Sequence, residues 1–134
     1  MLPISLDTIR LFVHVLAASV WVGGQLTLAG LVPGLRQISP EAPRVVARRF
    51  SRIAWPAFGI AVITGMWNLM EINVADTSSE YQVTLGVKLG IVALSGIGAA
   101  LHAVSSSRAG LAVWGAVSGA TALGALFFGV LLRS

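Results

Sequence analysis

Apolar residues fill four long stretches of the chain, and the few polar residues inside them recur at helical rather than strand spacing. The stretches cover residues 6–35, 50–71, 83–104 and 111–132, each long enough at ~1.5 Å per residue to cross a ~30 Å hydrocarbon layer. Lipid offers the backbone no water to bond with, so four such spans predict four α-helices. The expected fold is all-α, an integral membrane four-helix bundle forming a single domain over residues 1–134.

Residues three, four or seven apart share a helical face. In the first span that face carries His14, Ala18, Trp21, Gln25 and Leu28, and in the second Arg52, Trp55, Gly59, Met66 and Met70. The third aligns Lys88, Ser95 and His102, and the fourth Trp114, Ser118, Thr121 and Ala125. Each span therefore owns one face that lipid would reject, and turning all four inward lines the bundle core with them.

The connections carry their own signals. Pro33 and Gly34 are expected to close helix one, and Ser39 or Glu41 to start a short amphipathic helix leading into helix two. Asn73 to Glu80 reads as an exposed acidic connection, and Ser105 to Arg108 as a tight turn that makes helices three and four antiparallel neighbours.

Composition changes the picture only by exclusion. The chain is 56% hydrophobic and 10% charged, with a mean hydropathy of +0.87, whereas a soluble domain carries about 25% charged residues. The start of the chain lacks a basic n-region, because Asp7 balances Arg10, so helix one is expected to stay attached rather than be cleaved. There is no cysteine, which removes disulfides and thiolate ligands.

The net charge of +4 could suggest nucleic acid, but the positions of the charges point to a membrane. Arg36, Arg44, Arg48, Arg49 and Arg52 crowd the first connection and Arg108 the third, while the second holds Glu71, Asp76 and Glu80. The positive-inside pattern then places the first and third connections in the cytoplasm and both termini outside. The expected partner of these charges is the lipid bilayer, with arginines facing anionic headgroups. Gly30-x-x-x-Gly34, Gly86-x-x-x-Gly90 and Gly115-x-x-x-Gly119 serve either packing within the bundle or a homodimer.

Depth along these helices groups the candidate chemistry. His14 and Lys88 are each placed ~10 Å below the outer surface, with Met66 near the same level, giving a candidate outer site. His102 is expected ~30 Å down, among Arg48, Arg49 and Arg52. The two histidines would then stand ~20 Å apart, too far to share one metal.

Each residue has two readings. His14 is a metal or haem ligand, or a histidine hydrogen-bonded to a neighbouring hydroxyl or carbonyl. Met66 and Met70 offer thioethers to Cu(I) or fill the core. Lys88 meets a cofactor carboxylate or snorkels, and the arginines beside His102 set topology or pair with porphyrin propionates. Trp67 is placed in the outer aromatic belt. No nucleophile-base pair or phosphate loop is present, and whether the chain is catalytic stays open.

The wording of the helices also resembles a known family. LFVHVLAASVWVGGQLTLAGLVPGL in helix one, ARRFSRIAWPAF and TGMWNL in helix two and LGVKLGIVAL in helix three look like the copper resistance D (CopD) family, and more distantly the HemJ-type protoporphyrinogen oxidases. The first resemblance implies copper handling at the cytoplasmic (inner) membrane of a bacterium, beside a membrane or periplasmic protein partner. The second implies haem b, with His14 as the helix-one histidine, Arg48 and Arg49 as the paired arginines and Lys88 as the helix-three lysine. Three functions follow as expectations: a copper site of His14 and Met66, a haem site for electron transfer or porphyrinogen oxidation, or a structural subunit of a membrane complex.

Overall fold

A computed structural model describes residues 1–134 and contains four long helices and no strand. Helix α1 spans Leu6–Ile38, α2 Ala42–Met70, α3 Ser79–Val104 and α4 Arg108–Leu131, with one 3₁₀ turn at Val74–Asp76. All four are long and apolar enough to cross a membrane.

Local chemistry accounts for each helix start. At α1 the Ser5 hydroxyl accepts from the Thr8 amide at 3.2 Å while the Thr8 hydroxyl accepts from the Ser5 amide at 3.4 Å, a reciprocal cap. The α2 helix has Pro43 in its first turn, where a missing amide hydrogen costs nothing. Ser78 and Ser107 cap α3 and α4 by accepting from Tyr81 and Gly110 amides.

Two boundaries differ from the sequence-based expectation. Helix α1 does not close at Pro33 and Gly34 but runs through them to Ile38. Proline removes only the bond to the Ala29 carbonyl, and with 33 residues α1 is ~50 Å long, so its last turns extend past a ~30 Å hydrocarbon layer unless the helix tilts. Outside that layer, water or headgroups can satisfy the released carbonyl. Similarly, no separate amphipathic helix precedes α2, because residues 42–49 continue without a break into the span.

The chain forms two compact units, Met1–Ile72 and Asn73–Ser134. In the first, α1 packs on α2; in the second, α3 packs on α4. Each pair is an antiparallel helical hairpin, closed by Ser39–Pro40–Glu41 in one case and by Ser105–Ser106–Ser107 in the other.

Candidate functional site

Polar residues form the rungs of the first hairpin. Arg10 Nε donates to Asn68 Oδ1 at 2.7 Å, and one turn deeper His14 Nδ1 lies 2.9 Å from Thr64 Oγ1. Four residues forward on α1 thus match four residues back on α2, the register of an antiparallel pair. Farther along, Trp21 is buried against Trp55 and Phe58, with ring centroids 5.5 and 4.5 Å away. Beyond it the Phe50 ring fills the space that a side chain at Gly24 would need.

The Arg10 end is a charged cluster. The Arg10 side chain is 8% exposed and pairs with Asp7 at 3.0 Å and Glu71 at 3.3 Å. Its guanidinium also lies 5.6 Å from the Trp67 ring centroid, and Trp67 Nε1 donates to Glu71 Oε1 at 3.1 Å. Trp67 holds the polar indole edge and carboxylate partner typical of an interfacial residue.

The His14 rung fixes a tautomer. Thr64 has one hydroxyl hydrogen, and it is given to the Ile60 carbonyl at 2.6 Å. Thr64 Oγ1 therefore accepts from His14, so Nδ1 carries the proton and, in the neutral ring, the lone pair is on Nε2. Gly65 makes room for this arrangement, since a Cβ there would stand 3.1 Å from His14 Cε1. A second partner that fixes the ring and tautomer is the usual support of a metal-binding histidine.

The second hairpin repeats the device with different groups. Ser95 Oγ donates to the Ser118 carbonyl at 3.0 Å and Ser118 Oγ to the Ser95 carbonyl at 2.9 Å. Seven residues along, His102 Nδ1 donates to the Leu111 carbonyl at 2.8 Å, again leaving the neutral lone pair on Nε2. At the other end half-buried Lys88 lies over Gly129, where a Cβ would meet Nζ at 3.4 Å.

The sequence stripes of helices one, three and four match the packed faces: Trp21, Ser95 and Ser118 are buried, and His14, Lys88, His102, Thr121 and Ala125 are half-buried. The stripe of helix two does not. Arg52, Met66 and Met70 are exposed, the last two at 61% and 78%, while the face on α1 carries Ala54, Ala57, Thr64 and Asn68. A thioether loses little by facing lipid, whereas hydroxyl and amide groups need partners, so Thr64 and Asn68 take the packed face. Met66, two residues past Thr64, falls on the opposite side of α2 and is not the group His14 bonds to on that helix.

Arg48, Arg49 and Arg52 are exposed and take part in none of the chain's ion pairs, both of which belong to Arg10. No group of three or more His, Asp or Glu side chains is arranged to hold a metal ion. Thr64, Asn68 and the buried role of Arg10 were not singled out from the sequence. Their signal was there in outline: Arg10 and His14 are four apart, as are Thr64 and Asn68.

The family described as Copper resistance protein D (CopD) matches residues 44–132, most of α2 and all of α3 and α4. Helix α1, with Arg10 and His14, precedes the matched region. No curated protein and no solved structure matches the chain. With the match covering well over half its length, this four-helix chain, whose every helix can cross a membrane, belongs to the copper resistance D family.

Proposed function

We propose that this multi-pass membrane protein binds copper as its cargo, as Cu(I), within the membrane, on the periplasmic side of a bacterial inner membrane, with His14 Nε2 as the imidazole ligand. The observation that carries this reading is the His14–Thr64 hydrogen bond, which orients the ring and, in its neutral form, leaves the lone pair on Nε2. Family membership supports the metal, and imidazole and thioether are donors that Cu(I) accepts. The hairpin supplies one imidazole; the thioether of Met66, on the opposite side of α2 from Thr64, is not part of the proposed site. Lys88, one residue type that could tune such a site by its charge, belongs to the other hairpin.

The test is a competition titration of purified protein against a Cu(I) chelator, together with an absorption spectrum. Wild type should withdraw one Cu(I) per chain, His14→Ala should bind at least about 100-fold more weakly, and His102→Ala should be unaffected. Met66→Leu should leave binding unchanged, because its thioether faces away from His14. Failure of wild type to withdraw copper overturns the reading, and a Soret band lost in His14→Ala would replace copper with haem at the same histidine.

A further inference from the structure

The first hairpin carries a feature that copper binding does not use. A groove of about 290 Å³ runs along its surface between α1 and α2. Ala17 and Ala57 floor it, and Leu16, Val20, Ile53 and Ile60 wall it. The two alanines are buried, while Ile53 is 62% exposed, so the groove opens outward. Its lining is entirely apolar.

One end of the groove is charged. Arg49, Ile53, Pro56 and Ile60 fall four, three and four residues apart, so an exposed arginine sits on the same stripe as the α2 wall, one turn outside it. Arg52 flanks that end, and α2 contains no acidic residue to neutralise either.

We infer that this groove is a binding site for one anionic phospholipid, an acyl chain lying between α1 and α2 and the phosphate held by Arg49 and Arg52. Shape and charge select this occupant together. A helix, about 10–12 Å across with its side chains, is too wide to enter, whereas a single hydrocarbon chain follows an apolar channel whose wall runs from Ile53 to Ile60 of α2, ~10 Å. Two unpaired guanidiniums at its mouth favour a phosphate without a neutralising choline. The site is independent of His14 and of which face of the membrane the arginines occupy.

Native mass spectrometry of the full chain in detergent, titrated with phosphatidylglycerol or phosphatidylcholine of equal chain length, tests it. Wild type should retain one phosphatidylglycerol with about a five- to tenfold preference over phosphatidylcholine. Arg49→Gln/Arg52→Gln should reduce that preference below about twofold, and Arg108→Gln should leave it intact. Ile53→Trp, which fills the groove and keeps both arginines, should abolish retention. Equal binding of the two lipids by wild type overturns the inference. So does loss in the arginine variant with full retention in Ile53→Trp, because the arginines would then be acting without the groove. A dimer that forms in place of lipid retention and is abolished by Ile53→Trp assigns the groove to a second copy and overturns it as well.

Discussion

Ser95 and Ser118 exchange hydrogen bonds across α3 and α4, each hydroxyl donating to the other's backbone carbonyl. Such an exchange requires the two backbones to approach closely, and Gly98 permits it: a Cβ at this position would stand 3.0 Å from the Ser118 amide nitrogen. Backbone cannot swing aside as a side chain can. Gly98→Ala should therefore separate the helices and lower stability by about 1–3 kcal/mol, while Gly86→Ala, with nothing within 4 Å of the new methyl, should stay within about 0.5 kcal/mol of wild type. Reversible unfolding in mixed micelles compares them.

The first hairpin has its own close approach, and there the obstacle is a side chain. The Phe50 ring occupies the volume beside Gly24, so Gly24→Ala should destabilise the chain by about 1–3 kcal/mol. Because a ring can be trimmed, Gly24→Ala/Phe50→Leu should recover part of the loss. A double-mutant cycle measures this, and strict additivity would show that the two sites do not touch.

Arg10 is the only charged side chain buried in the structure. It donates to Asn68, pairs with two carboxylates and lies over Trp67. Both carboxylates are more than half exposed, so water screens those pairs, and the Asn68 bond and ring contact carry more of the energy. Arg10→Gln should cost about 1–3 kcal/mol. Arg10→Lys should not restore it, because a compact ammonium cannot reach four partners with the geometry of a planar fork. Thermal denaturation with and without 0.5 M salt separates the screened part of this loss from the rest.

How far the sequence reaches can be judged from particular residues. Hydropathy located the four spans, and the serines at 105–107 marked the turn before α4, because each rests on a short-range rule that lipid reinforces. The stop expected at Pro33 failed because a proline costs one hydrogen bond, too little to end a helix whose flanking turns hold. The face of helix two was misjudged for a different reason. Methionine carries a soft donor, but packing is decided by which groups need partners, and Thr64 and Asn68 need them more. Of the two readings of His14 the structure shows one, a ring hydrogen-bonded through Nδ1 to a neighbouring hydroxyl.

The role given to Thr64 is separable from its packing. Thr64→Val keeps the shape and removes the acceptor for His14 Nδ1, so Cu(I) affinity should fall about 10–100-fold. Thr64→Ser keeps the hydroxyl and should stay within about threefold of wild type. Chelator competition reads both. Equal affinities for the valine and serine variants would remove the hydrogen bond from the account.

X-ray absorption at the copper edge, on protein loaded with one equivalent of Cu(I), reads the ligands of a copper site built on His14 without an intermediary. Wild type and His102→Ala should show the scattering pattern of a coordinated imidazole, and His14→Ala should lose it. An imidazole signal that survives His14→Ala, or one absent from wild type, would contradict copper binding at His14.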